Sequence, residues 1–142
     1  MRVTKSNINK FIEGTRINCP DMGITHIEYI PDGITRLFCH SNRLTELPKL
    51  PESLTDLYCS DNKLTELPKL PESLEYLHCG DNKLTELPIL PNSLKRLDCR
   101  NNNLPYDITI KNFKEHNTLL KRKLILKYYI IFLYYKCKIE EH

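Results

Sequence analysis

Apolar residues return every twenty positions along most of this chain. The blocks LTDLYCSDNKLTELPKLPES (Leu54 to Ser73) and LEYLHCGDNKLTELPILPNS (Leu74 to Ser93) align without a gap, an earlier copy starts at Ile34 and a last one at Leu94. Cys39, Cys59, Cys79 and Cys99 are in phase, as are Asn42, Asn62, Asn82 and Asn102, and Leu44, Leu64, Leu84 and Leu104. A degenerate copy precedes them, keeping Ile17, Cys19, Ile24, Ile27, Ile30 and Pro31 in register but carrying Met22 in place of the asparagine. A unit this short cannot bury its apolar face alone, so the pattern predicts about five stacked coils of a solenoid.

Within a coil, the alternation in LTDLYC sets Leu57 and Cys59 on one face and Asp56 and Tyr58 on the other, as a half-buried strand requires. The chain then turns after Asn62, and Leu64, Leu67 and Leu70 point back inward. Pro68 and Pro71 forbid a helix on the return limb and favour an extended or polyproline path. The expected fold is an α/β repeat: a short parallel sheet on the concave face, an extended convex limb and a helical C-terminal cap.

The ends of such a stack need covers. Residues 1–13 offer Val3, Ile8, Phe11 and Ile12 as an N-terminal cap, residues 14–105 form the solenoid, and 106–142 form a C-terminal cap or tail. From Thr109 to about Ile139 a helix is predicted, because Ile110, Phe113, Leu120, Leu124, Tyr128, Ile131 and Tyr135 fall mostly at three- and four-residue steps.

The motif LxxLxCxxNxL resembles the leucine-rich-repeat signature, with Cys in the third apolar slot. In the choice of Cys and the abundance of Lys, Asn, Ile and Tyr, the chain is similar to the repeat proteins of giant amoeba-infecting viruses. More distantly, its short period and LPxLPxSL spacer resemble the repeats of secreted enterobacterial effectors. The resemblance implies a module that binds a protein, possible host proteins included, through its concave sheet face. The ubiquitin-ligase activity of the effector class belongs to a large separate domain, and only about 40 residues follow Asn102 here.

Composition narrows the function further. The 142 residues are 40% hydrophobic and 27% charged, within the globular range. Residues 1–110 hold 13 Lys/Arg against 15 Asp/Glu, a balance of −2, while residues 111–142 hold 8 against 3, a balance of +5. A nearly neutral repeat body argues against nucleic acid, where phosphate neutralisation supplies most of the affinity. No apolar segment resembling a signal peptide occupies Met1 to Thr15 and no Asn-x-Ser/Thr sequon occurs, so an intracellular, cytoplasmic setting is expected, the host cytoplasm on the viral likeness.

Several residue groups invite a chemical reading. Four in-phase cysteines, about 4.8 Å apart by strand spacing, suggest zinc or redox chemistry. They form a line rather than a tetrahedron, however, and no CxxC knuckle exists, so core packing is expected. The asparagine column is expected to satisfy backbone groups at each bend. His40 follows Cys39 directly, which places the two on opposite faces and rules them out as a catalytic pair. Cys137, between Lys136 and Lys138, is a candidate reactive or lipidated thiol. Leu124 to Tyr135, twelve residues interrupted by Lys127, is too short to cross a bilayer. It is read as a cap, with a self-association surface or an interfacial membrane helix as alternatives. Neither metal, cofactor nor enzymatic activity is expected.

Outward strand positions vary from coil to coil while core positions barely change. They read Arg36, Asp56, Tyr76, Arg96 in one row, Phe38, Tyr58, His78, Asp98 in the next, and His40, Ser60, Gly80, Arg100 in a third. Aromatics beside arginines are the composition of a protein-binding surface, and ten of these residues, all but Ser60 and Gly80, are the candidate contact residues.

Overall fold

The computed structural model describes residues 1–140; the last two residues of the predicted tail, 106–142, lie outside it. Eight short strands precede one helix: β1 (Arg2–Val3), β2 (Ile12–Glu13), β3 (Arg16–Asn18), β4 (His26–Ile27), β5 (Arg36–Phe38), β6 (Asp56–Tyr58), β7 (Tyr76–His78), β8 (Arg96–Asp98) and α1 (Phe113–Glu140). Six strands form one sheet in the order β2-β3-β5-β6-β7-β8. From β3 to β8 the pairs are parallel and the register advances by one repeat, Leu37 against Leu57, Leu57 against Leu77 and Leu77 against Leu97. The 20-residue period of the sequence is thus the rise of a parallel-sheet solenoid.

Burial follows the apolar pattern. Leu37, Leu57, Leu77, Cys39, Cys59 and Cys79 are wholly buried, as are Leu44, Leu64 and Leu84 at the start of each return limb. The limb itself carries no helix. Pro51, Pro71 and Pro91 accept from the amides of Leu54, Leu74 and Leu94 at 3.1, 3.1 and 3.2 Å, closing a tight turn that feeds the next strand. Ser53, Ser73 and Ser93 then donate to the Ile34, Leu54 and Leu74 carbonyls of the coil before at 2.6–2.7 Å. Residues immediately before the asparagine column adopt left-handed backbone, with φ of 52–56° at Asp21, Ser41, Asp61, Asp81 and Asn101. Asp and Asn tolerate that region better than most side chains do, which accounts for their recurrence there.

The N-terminal segment closes the first coil in two places. β2 pairs antiparallel with β3, and β1 pairs parallel with β4 on the return limb. Val3 and Ile8 are buried, while Phe11 and Ile12 pack partly against the core.

At the other end the structure differs from the sequence-based expectation. The helix begins at Phe113 rather than Thr109, because the Asn112 side chain accepts from the Thr109 amide at 2.7 Å and donates to the Asp107 carbonyl at 2.9 Å, fixing a local turn. Only its first two turns pack: Phe113, His116 and Asn117 are buried and Leu120 is half-buried. Ile110, Leu124, Tyr128, Ile131 and Tyr135, predicted to share the covering face, are all exposed. Apolar side chains from Leu124 to Tyr135 stand all round the helix, so it presents no single face to bury. No helix is long and apolar enough to cross a membrane among the described residues.

Candidate binding face

The asparagine column explains how a coil so poor in regular structure holds its bends. The Asn62 amide nitrogen donates to the carbonyls of Cys39, Cys59 and Ser60 at 3.0, 3.1 and 3.2 Å, and its oxygen accepts from the Leu44 amide at 3.0 Å. Asn42, Asn82 and Asn102 repeat the arrangement. At the degenerate first coil, where Met22 stands in the asparagine slot, Asn42 still accepts from the amides of Met22 and Ile24 at 3.0 and 2.9 Å. Each side chain therefore stitches two coils together.

Cys19, Cys39, Cys59, Cys79 and Cys99 are all buried and unbridged. Burial pushes the Cys19 thiol up to about 11 and raises Cys39, Cys59, Cys79 and Cys99 as well, with neighbouring thiols adding to the effect at Cys39, Cys59 and Cys79. A thiol sealed from water and held protonated is a poor nucleophile, and these five side chains pack as part of the core. Among the described residues no group of three His, Cys, Asp or Glu side chains is placed to hold a metal ion. Cys137 is exposed, on the distal part of α1 whose side chains are also exposed.

The three outward rows lie side by side on the sheet. Phe38 stacks on Tyr58 with ring centroids 5.0 Å apart, and Tyr58 on His78 at 4.5 Å with only 8° between the planes. Asp98 continues the row and is gripped by Arg100, whose Nε and Nη2 donate to its two oxygens at 3.0 and 2.9 Å. That guanidinium holds the Asp98 carboxyl below the usual carboxylate range. In the neighbouring row Arg36 lies 3.8 Å from Asp56, Tyr76 follows, and Arg96 is exposed at the end. In the third row His40 and Ser60 are half-buried and Arg100 is exposed. Gly80 is buried: a Cβ there would meet the Arg100 carbonyl at 3.2 Å, so the coils approach closely at that point.

Two features escape the repeat alignment. The aromatic residues are half-buried by mutual stacking rather than standing free. Arg16 and Asn18 extend the first two rows by one strand, pairing with Arg36 and Phe38. Counting back twenty positions from those residues locates them, but the degenerate first copy conceals the signal.

Parallel strands one repeat apart, an extended return limb and an asparagine stitch at every bend define a leucine-rich-repeat solenoid. YopM from Yersinia enterocolitica WA-314 is similar to it over 61% of this chain, at 36% identity and a TM-score of 0.57. YopM of Yersinia pestis, described as a leucine-rich effector protein, is similar over 70% of this chain at 36% identity and a TM-score of 0.63. This chain spans 20% and 28% of those two chains. No family model and no curated protein matches it.

Proposed function

We propose that this chain is a protein-interaction module, a scaffold rather than an enzyme, whose concave sheet face grips its partner. The observation that carries this reading is the Phe38–Tyr58–His78 stack, an aromatic strip fixed across three coils with Tyr76 beside it and Arg36 and Arg96 at its flanks. Rings already held by their neighbours lose little conformational freedom when a partner docks, which is what favours aromatic anchors in interfaces. On the viral likeness, which rests on the cysteine column and the Lys/Asn/Ile/Tyr bias, the partner is a host protein and the site of action the host cytoplasm.

The test is capture of partners from lysate by the full chain and by a Tyr58→Ala, Tyr76→Ala double variant. Recovery of a specific partner should fall at least about tenfold, because an aromatic anchor commonly contributes about 2 kcal/mol or more. Glu66→Ala with Glu86→Ala, on the exposed convex side, should leave recovery unchanged. Loss of capture in the convex variant alone would move the recognition surface to the return limb.

A second reading is favoured by α1. Residues 116–139 hold six cations, Lys121, Arg122, Lys123, Lys127, Lys136 and Lys138, and no acid. Among them stand exposed Leu, Ile, Phe and Tyr side chains. Cations flanking apolar and tyrosine side chains suit an anionic lipid surface. Co-sedimentation with phosphatidylserine vesicles should then be lost on replacing Lys121, Arg122 and Lys123 by Gln. Equal recovery with neutral and anionic vesicles would end that reading.

A further inference from the structure

The two ends of the sheet are finished differently. At the front β2 lies antiparallel on β3 and covers its edge. At the back, β8 is the last strand, and among the described residues nothing pairs with its far side.

The unmet groups of that edge follow from the coils before it. Cys39, Cys59 and Cys79 donate their amides forward to the Tyr58, His78 and Asp98 carbonyls at 2.8–2.9 Å, and Thr35, Thr55 and Glu75 accept from Thr55, Glu75 and Lys95 at 2.8 Å. Even-numbered strand residues point back, as Arg96 does in donating to Glu75 at 3.2 Å, and directions alternate along a strand. On β8 the Leu97 amide and carbonyl, the Cys99 amide and the Lys95 carbonyl therefore all face outward. Leu97 is half-exposed where Leu37, Leu57 and Leu77 are sealed. The segment after the last coil meets this end of the sheet on the core side, where the Cys99 thiol donates to the Ile108 carbonyl at 3.0 Å, but a cleft of about 290 Å³ lined by Cys99–Asn102 and Tyr106–Thr109 remains beside it.

We propose that β8 is a self-complementary edge that pairs antiparallel with β8 of a second copy, about a two-fold axis at Leu97. In that register Leu97 exchanges both its hydrogen bonds with Leu97 of the other copy. Each Cys99 amide donates to the other copy's Lys95 carbonyl, so four backbone bonds form from groups that are all free in the single chain. Opposed residues of an antiparallel pair share a face. Arg96 of each copy therefore lies opposite Asp98 of the other, on the concave side, and the two Leu97 side chains meet on the core side. The match of charge at both ends of the strand selects a second copy over an arbitrary extended peptide. The front edge offers only the two-residue strand β2, too short to meet all four outward groups of β8, so a closed two-fold dimer is favoured over head-to-tail stacking. The dimer sheet is twelve strands long and carries the concave rows of both copies on one surface.

Sedimentation equilibrium of the full chain over a concentration series tests the pairing, with amide exchange as a second readout. A monomer–dimer equilibrium is expected, with exchange at Leu97 and Cys99 slowing as concentration rises. Arg96→Asp sets Asp against Asp and should weaken the dimer by at least about tenfold, as Asp98→Arg should by setting Arg against Arg. The double variant Arg96→Asp, Asp98→Arg restores opposite charges across the axis and should recover the dimer. Arg96 is exposed, so its variant remains informative if Asp98→Arg fails to fold. A chain that stays monomeric throughout overturns the proposal, and so does a dimer indifferent to both single variants, which would assign association to the exposed side chains of α1.

Discussion

An Asn62→Ala chain should lose about 3–6 kcal/mol of stability, enough to unfold much of a population whose margin is of the usual 5–15 kcal/mol. The estimate comes from what each partner has left. The carbonyls of Cys39 and Cys59 keep the amide donors of Asn42 and Asn82, and the Ser60 carbonyl keeps the Ser41 amide. The Leu44 amide has only the Asn62 oxygen, and Leu44 is wholly buried, so that group alone faces a desolvation cost of about 1–3 kcal/mol. The three lost donor bonds add about 0.5–1.5 kcal/mol each. Asn102→Ala should cost less, because Asn102 makes the same four bonds, to the Cys79, Cys99 and Arg100 carbonyls and the Leu84 amide, but is half-buried, so water can replace part of them. Urea denaturation of both variants checks the order. Midpoints of both variants equal to that of the unsubstituted chain would mean that the column fills space and carries no structural load.

The coil is legible in the sequence because two independent periodicities agree. Leucines at fixed phase mark what goes inside, and prolines such as Pro68 and Pro71 exclude a helix from the return limb, so the solenoid and its extended limb follow from residue types alone. The rows of the concave face follow from alternation about Leu37, Leu57, Leu77 and Leu97. What alternation cannot supply is the state of an outward side chain. It places Phe38, Tyr58 and His78 in one row but does not reveal that they stack and half-bury one another.

The C-terminal segment is misread for a different reason. From Leu124 to Tyr135 every position except Lys127 is apolar, so three- and four-residue spacing is satisfied in any direction and identifies no face. The residues that do hold the helix down include His116 and Asn117, polar side chains invisible to a hydrophobic pattern. Asn117 donates to the Leu90 carbonyl at 2.7 Å and accepts from the Leu90 amide at 2.8 Å, tying the helix to the last return limb. His116 donates through Nε2 to the Pro88 carbonyl at 3.2 Å, while its Nδ1 accepts from the Tyr106 hydroxyl at 2.8 Å.

Two truncations should therefore behave in opposite ways. A chain ending at Ile110 loses Phe113, whose burial contributes about 1.5–3 kcal/mol, together with the His116 and Asn117 hydrogen bonds at about 0.5–1.5 kcal/mol each. The apolar side chains at the end of the stack, Leu87 and Leu90 on the last return limb and Leu94 after it, lose their cover, so this variant should melt earlier and aggregate. A chain ending at Leu120 keeps every one of those contacts and discards only the exposed turns. Its stability should match the full chain within about 0.5 kcal/mol. It should also be the more soluble of the two, since a large exposed apolar surface has gone. Differential scanning calorimetry and light scattering on the two variants distinguish a two-turn cap from a full-length one. If the chain ending at Leu120 melts as early as the chain ending at Ile110, the distal helix bears on the solenoid in solution and the cap extends beyond Leu120.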